Sequence, residues 1–571
     1  MWIINFSEAD CKNCYACVRA CPVHAIEVKA EQAQIMKERC IGCGRCLKAC
    51  PKNAKQVKPE LESVKEYVKR PGKVVATVAP TYVGVFGENA SKLSTALKML
   101  GFDAVEETVV GADFVTEQYE AYAQKEDDAC YITSCCSSVV YLIEKHHPKL
   151  IPHLIPVVSP VVCHARMLKQ TYGTTSKVVF IGPCLSKKIE GHEEESIDAV
   201  LTFDELEKWL AEENIHLNDL TKSAFDQTNS KQAFYPLVGG ATKTVKQEGL
   251  KKQIIPVDGV EECKEVLKAI EEGSLKNILF EMNCCRHSCV GGPGLSEDGR
   301  SVYERKEWIK KYVKEQQKQG EGCKQTDMRA IKGLEIGRRF EPLYVPLKKP
   351  KEGQIREILG SIGKYTENDE LNCGSCGYPT CRDKAIAVFN GMAEPNMCLP
   401  FMRQKAETLS NVIFDATPNL IIIVNKELEI IDLNPSAAQF FHTTKESMID
   451  LPIEILLDTD IFMQVKEAKR NVVSQKKIVK NTQSTVIQSV IWIEYHQVML
   501  WIAHDISRDE KLEKRLQTMK IDAINMAQQV INKQMTVAQE IASLLGETTA
   551  ETKVTLTQLK HLIQTEEDVK P

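Results

Sequence analysis

Cysteine in this chain comes in tight groups, and that grouping limits what the chain can fold into more than any other feature. Of its 571 residues, 22 are cysteine. Two copies of one unit come first: Cys11-x2-Cys14-x2-Cys17-x3-Cys21-Pro22 and Cys40-x2-Cys43-x2-Cys46-x3-Cys50-Pro51. Three separated runs follow, centred on Cys135-Cys136, on Pro183-Cys184, and on Cys284-Cys285 with Cys289. A last group comprises Cys373, Cys376, Cys381 and Cys398. A secreted chain so rich in cysteine would suggest disulfides. Here a cysteine motif begins at Cys11 with no signal peptide ahead of it, which favours metal ligation and a cytoplasmic location.

The repeated unit is the run of a bacterial two-cluster ferredoxin, in which the fourth cysteine of each copy serves the other cluster. On that pattern Cys11, Cys14, Cys17 and Cys50 hold one 4Fe-4S cluster, and Cys40, Cys43, Cys46 and Cys21 hold the other. A paired zinc site fits less well, because zinc is tetrahedral and is commonly held by two C-x2-C pairs. Residues 1–60 are read as this domain.

The remaining composition is that of an ordinary globular protein, with 43% hydrophobic and 26% charged residues. A formal charge of −5 offers no basic face for nucleic acid. No apolar run reaches the roughly 20 residues that span a bilayer. Exposed cubanes are oxygen-labile, so an anaerobic host is expected. The fold class is multidomain α/β and α+β.

Between about 65 and 345, short β-branched runs (Lys73 to Ala79, Ala129 to Thr133, Lys177 to Ile181, Asn277 to Phe280) alternate with helical stretches such as Ser91 to Leu100 and Glu205 to Glu213. That alternation predicts an α/β domain with largely parallel sheets, its ligands just past strand ends. The three cysteine runs resemble the cluster-binding loops of the iron-iron (FeFe) hydrogenase family. The resemblance implies that Cys136, Cys184, Cys285 and Cys289 hold a cubane, with Cys289 shared with a diiron unit. It makes Cys135 the proton donor, Lys187 the partner of a cyanide ligand, and Glu281 the glutamate of the third loop. Pro80, Thr81, Ser159, Pro160 and Pro183 match segments that line the pocket. Cys284 falls where a small residue is usual. Cys130, Cys163, Cys263, Cys284 and Cys323 have no assigned partners and are read as small buried residues.

The flanks depart from the family. The first loop continues Ser137-Ser138-Val139, and Val161-Val162 replaces polar glutamines. Asn283 stands where methionine is common, and Arg286-His287-Ser288 replaces a glycine-rich segment. After Gly111-Ala112-Asp113 the acidic relay offers only Glu117 and Glu120, at shifted spacing. The ligands are intact, while the residues that tune the site and deliver protons are altered.

Residues 353–403, preceded by a linker at Lys348 to Glu352, resemble a small 4Fe-4S domain with ligands Cys373, Cys376, Cys381 and Cys398. A zinc knuckle is the alternative, since four cysteines do not name the metal. Residues 405–507 resemble a PAS domain: strand Leu420 to Val424, a second strand near Glu429 to Leu433, then Asn434-x-x-Ala437 opening a helix. Thr485 to Glu494 and Gln497 to His504 are the expected closing strands. His442 and His496 are read as structural or exposed rather than haem ligands. In residues 508–571, Leu512, Leu516, Met519, Ala523, Met526 and Val530 trace an a/d seam, continued by Val537, Ile541 and Leu544. Gly546 and Thr548-Thr549-Ala550-Glu551 mark a helix end and a second start. The seam is either a homodimer contact or the inner face of a helical pair on its own PAS domain.

The domain order resembles the sensory branches of the FeFe hydrogenases and implies a hydrogen or redox sensor. The ferredoxin-like and small domains pass electrons, and the PAS domain and helices report to a partner. Such a partner is a serine phosphatase or kinase, with a ferredoxin as redox partner. Two other readings stand: a catalytic FeFe hydrogenase of low activity exchanging electrons with ferredoxin, and a cubane-only electron-transfer or scaffold protein.

Overall fold

In the computed structural model the described residues are 3–6, 10–228, 233–246, 248–296, 298–318, 333–545 and 550–565. Cys323 and the Gly546 and Thr548-Thr549 signals lie outside them. The chain divides into two compact units, Met1–Met402 and Arg403–Pro571. The ferredoxin-like, hydrogenase-like and small cysteine-rich segments therefore share one unit.

The ferredoxin-like segment is two antiparallel ribbons, Ile26–Lys29 with Gln32–Ile35 and Ile4–Phe6 with Lys55–Val57. The short helices Ala16–Ala20 and Arg45–Lys48 carry Cys17 and Cys46 and each follows a left-handed residue, Tyr15 or Gly44. Such a reversal lets three thiols of one loop face a common point.

Two parallel sheets form the centre of the unit. One has the order Ala104–Glu107, Val74–Val78, Lys177–Gly182, Ala199–Thr202. The other has the order Gln253–Asp258, Ile278–Asn283, Tyr131–Ile132. Every residue of Val74–Val78 is buried, as a strand covered by helices on both faces must be. Four of these seven strands fall close to the predicted runs, while Ala104–Glu107, Ala199–Thr202 and Gln253–Asp258 were not predicted. Ala129 to Thr133 contributes only Tyr131–Ile132, and the third-loop strand extends to Asn283, so Glu281 lies within it. The predicted start at 65 cuts the Leu61–Lys69 helix, whose Leu61 and Val64 pack into this domain's core.

In the small cysteine-rich segment, Glu352–Ser361 packs on Cys381–Phe389 around Ile355, Leu359 and Ile362. The predicted linker is tied down, since Lys348 exchanges two hydrogen bonds with the Asn390 side chain. The predicted boundary between 403 and 405 falls inside one helix, Leu399–Ala416.

The second unit holds a five-stranded antiparallel sheet ordered Ile430–Leu433, Leu420–Val424, Val498–Asp505, Ser484–Ile493, Val472–Val479. Val472–Val479 escaped prediction because it is an edge strand with mostly exposed side chains, so no buried face marked it. Asn434 is wholly buried; its amide oxygen accepts from Ile421 N and Ala437 N, and its Nδ2 donates to Phe414 O and Asn419 O. His442 and His496 are exposed. One helix, Ser507–Leu545, follows the sheet. Its seam residues Leu512, Leu516, Met519, Met526, Val530, Val537 and Ile541 are all at least half exposed. Replacing Asn434 by Ala removes a helix cap and strands four backbone groups. The second unit of Asn434→Ala should lose about 2–4 kcal/mol, read by urea denaturation followed through tryptophan fluorescence.

Candidate metal centre

The two ferredoxin-like ligand sets assemble as the spacing requires. Cys11, Cys14, Cys17 and Cys50 line one cavity together with Tyr15, Ala33 and Lys55. Cys46 lies among Cys43, Cys40 and Cys21, and burial first, then those neighbours, pushes its thiol up. Backbone N–H groups are aimed at the sulfurs: Ala25 N at Cys21 (3.2 Å), Gly42 N at Cys40 (3.5 Å) and Ala54 N at Cys50 (3.4 Å). Such donors favour thiolate over thiol.

The three central runs meet in the same way. Cys136 caps the Ser137–His146 helix, Cys184 follows the Lys177–Gly182 strand, and Cys285 follows the Ile278–Asn283 strand. Cys289 is reached by a turn in which His287 and Ser288 take left-handed φ of 68° and 61°. This backbone explains why glycine is usual there, and here Asp258 supports it by accepting from His287 N at 2.6 Å. Burial chiefly raises Cys285 and Cys289, and the neighbouring central cysteines add to it. Buried thiols that repel as anions ionise together only around a cation, and thiolate sulfur suits iron. Among the described residues no three Cys, His, Asp or Glu groups converge on a single ion. None of the described cysteines is in a disulfide.

Around this set the predicted residues take unequal places. Cys135 is pushed up to about 12, by burial first and then by the charges of Glu281 and Cys136. Its sulfur lies 3.7 Å from Thr133 Oγ1. Glu281 is occupied: Oε2 accepts from Thr242 N (2.8 Å) and Oγ1 (2.7 Å), and Oε1 from Asn283 Nδ2 (3.4 Å). Lys187, expected opposite a cyanide, here pairs with buried Glu190 at 2.6 Å. Ser159 Oγ also donates to Glu190 (2.9 Å) and Arg338 approaches it at 3.4 Å. Against burial, these cations hold the Glu190 carboxyl below its ordinary range. Thr81 is buried between the Val74–Val78 strand and the Tyr82–Phe86 helix, Ser159 and Pro160 are buried at the start of the Pro160–Tyr172 helix, and Pro183 O accepts from Gly294 N. Pro80 directly precedes Thr81.

The two glutamates at the shifted relay positions do not enter the core. Val109, Ala112, Thr116, Tyr119 and Ala123 form the buried face of the Val109–Ala123 helix, so Glu117 points to solvent and Glu120 accepts from Lys246 N. Tyr119 and Tyr235 come near Cys135 instead, each raised by burial and by its charge. Sequence reasoning missed both tyrosines and Thr242, which come from distant segments and leave no spacing signal; it also missed Glu190, although that residue lies three after Lys187 on one helix, a spacing that brings side chains together.

The ferredoxin-like segment docks directly on this centre. Gly42 and Gly44 have φ of 69° and 70°, and a Cβ on them would come within 2.8 Å of Ile189 and 2.6 Å of Pro293. Arg45 pairs with Glu261 at 2.9 Å, and Lys48 donates to Gly291 O at 3.4 Å. On the other side, Cys373, Cys376, Cys381 and Cys398 line one small cavity. There the Tyr378 ring stacks on His24 and its hydroxyl is raised by burial, then by Cys376 and Cys21. Arg19 reaches Ser375 O at 2.9 Å.

Residues 72–293 match the family described as iron only hydrogenase large subunit, C-terminal domain. Residues 10–59 match a 4Fe-4S dicluster domain, 369–400 an Fe-S cluster family, and 408–474 a PAS domain. Iron hydrogenase 1 of Clostridium pasteurianum is 26% identical over 306 residues, covering 41% of this chain and 52% of that protein. The cytosolic Fe-S cluster assembly factor narfl of Danio rerio is 27% identical over 191 residues, covering 29% and 46%. The chain thus spans about half the length of these curated relatives. A solved FeFe-hydrogenase of Chlamydomonas reinhardtii aligns at 17% identity with a TM-score of 0.39, over 50% of this chain and 100% of its own. The chain is an iron-sulfur protein that joins a ferredoxin-like 4Fe-4S domain, a hydrogenase-like α/β domain and a PAS domain. Among the described residues no helix is long and apolar enough to cross a membrane.

The buried pair at Lys187 makes a specific expectation. Lys187→Met leaves Glu190 with only Arg338 as a cation and should cost about 3 kcal/mol, whereas Lys187→Met with Glu190→Gln should recover most of it. Urea denaturation of the three proteins checks this.

Proposed function

We propose that the protein is a hydrogen or redox sensor whose hydrogenase-like centre is read out through the PAS domain. The observation that carries this reading is the packing of the cysteine groups. The central set abuts the Cys43 loop, the set containing Cys43 also contains Cys21, and Tyr378 lies between Cys21 and Cys376. Cys398, the last of the small set, leads directly into Leu399–Ala416 and on to the first PAS strand. Cys14 is exposed and marks where a ferredoxin donor gives or takes electrons.

In this reading the sixteen cysteines of the four sets hold four 4Fe-4S clusters, and Cys289 also anchors a diiron unit. When bound, that unit supplies the interconversion of hydrogen with two protons and two electrons. The chain's own residues set how fast this runs. Cys135 is the proton carrier closest to the centre, and Glu281 holds the Thr242 segment over it. Lys187, fixed by Glu190, supplies a positive charge beside the anionic site. Around Cys135 the structure places tyrosines where a carboxylate relay is expected, which slows proton supply and suits reporting over turnover. The exposed seam of Ser507–Leu545 pairs two copies and passes the change to a serine phosphatase or kinase.

Relatives that are assembly factors favour a second reading, a protein of cubanes alone serving electron transfer or cluster assembly. A catalytic hydrogenase is the third. Infrared spectra of the anaerobically matured protein separate them. The sensor should show carbonyl and cyanide bands with slow turnover, and Cys135→Ala should remove the turnover while keeping the bands. Sustained fast turnover supports the enzyme, and absence of the bands supports the cubane-only protein. Sedimentation tests the seam: Leu516→Glu with Met519→Glu should shift a dimer to monomer without changing iron content.

A further inference from the structure

The small cysteine-rich segment keeps two lysines out of water. Lys384 is 2% exposed and Lys364 5%. Both line the cavity formed by Cys373, Cys376, Cys381 and Cys398, and no aspartate or glutamate is among the described residues of that lining. Lys384 stands three residues after Cys381 on the Cys381–Phe389 helix, a spacing that makes side chains neighbours. Its ammonium donates to Pro395 O at 2.7 Å, and that of Lys364 donates to Asp369 O. Among the described residues neither ammonium enters an ion pair with a carboxylate. The Asp369 carboxylate is engaged instead by Tyr365 N, Thr366 N and Thr366 Oγ1, at 3.0, 2.8 and 2.9 Å. By contrast, the buried Lys187, Lys188 and Lys252 pair with Glu190, Glu205 and Asp127 at 2.6, 3.0 and 2.7 Å. A buried ammonium is costly without an anion, and carbonyl oxygens satisfy its protons without cancelling its charge. The four sulfurs of the cavity become anions when a metal takes the place of their protons.

We propose that Lys384, assisted by Lys364, is a positioning residue for charge in the small set: its ammonium is the buried counter-ion of the centre held by Cys373, Cys376, Cys381 and Cys398 and stabilises that centre's reduced state. The inference rests on the reading of this set as a 4Fe-4S cluster, given above. A cluster with four thiolates is anionic, and reduction adds one further negative charge. A fixed cation nearby favours the more negative state and raises the potential. An electron that reaches the small set is thereby held directly ahead of Leu399–Ala416, the helix that follows Cys398. Before metal enters, the same ammonium is an uncompensated buried charge. Its removal therefore relieves the empty segment and makes the filled one harder to reduce. A lysine that only tied down the turn at Pro395 would be missed equally in both states.

The test compares the full-length wild type with Lys384→Gln, Lys384→Met and Lys364→Gln, by EPR-monitored redox titration after anaerobic reconstitution and by thermal melting of the metal-free and loaded forms. A Cys373→Ser protein identifies the wave of the small set, and iron and sulfide content shows that each protein is loaded. Glutamine keeps an N–H donor for the carbonyl and lacks the charge. In Lys384→Gln the small-set wave should move to lower potential, with a severalfold smaller reduced fraction at a fixed potential, while the ferredoxin-like waves stay in place. Lys364→Gln should move the same wave in the same direction. Metal-free Lys384→Met should melt no lower than metal-free wild type. An unmoved wave in fully loaded Lys384→Gln overturns the proposal. So does metal-free Lys384→Met that melts as far below wild type as the loaded form does, which makes Lys384 a structural tie. Where the Lys384 variants take up no iron, unchanged melting of their metal-free forms supports the counter-ion and lowered melting overturns it. A wild type that binds zinc or no metal at the small set defeats the cluster reading itself, and that is seen before any variant is compared.

Discussion

Thiols brought together at a buried point repel once they ionise and gain little while they stay protonated. The core of the first unit is arranged around that constraint. Burial and mutual charge keep Cys285 and Cys289 from ionising alone. Neighbouring parallel strands of one sheet deliver Cys136 and Cys285 to the same edge, and Cys184 joins them from the strand end of the other parallel sheet. Held in position, the sulfurs are released as thiolates when iron takes their protons' place. The same logic repeats in the ferredoxin-like and small sets, where backbone N–H groups and short left-handed turns replace the sheet as the scaffold.

The residues surrounding the central set depend on charge cancellation. Lys187, Arg338, Ser159 and Glu190 form one buried cluster in which Glu190 is the common acceptor. Without that carboxylate the buried Lys187 side chain would lack its ion-pair partner, which is costly inside a protein. Glu281 in turn accepts from both the backbone N–H and the hydroxyl of Thr242, which ties that segment to the Ile278–Asn283 strand.

Much of the fold was legible. The β-branched runs Lys73 to Ala79 and Lys177 to Ile181 became strands because a fully buried parallel strand has no polar face to confuse its pattern. The edge strand Val472–Val479 was invisible for the opposite reason, since it buries almost nothing. The relay at Glu117 and Glu120 shows the limit of register reasoning. Glutamates near the expected positions exist, yet the helix turns one to solvent and the other toward Lys246. What faces Cys135 is decided by three-dimensional phase, which brought Tyr119 and Tyr235 there from residues with no motif of their own.

By itself the sequence determined the donor chemistry. Cysteines in tight groups, with their spacing and their glycines, point to iron-sulfur chemistry because ligand identity and loop geometry are local. The tertiary structure decided what lies between the clusters. Docking of the Gly42-Cys43-Gly44 loop set Cys43 against Cys284, and Tyr378 came to lie between Cys21 and Cys376. Such contacts join segments hundreds of residues apart, and only the packed fold brings them together.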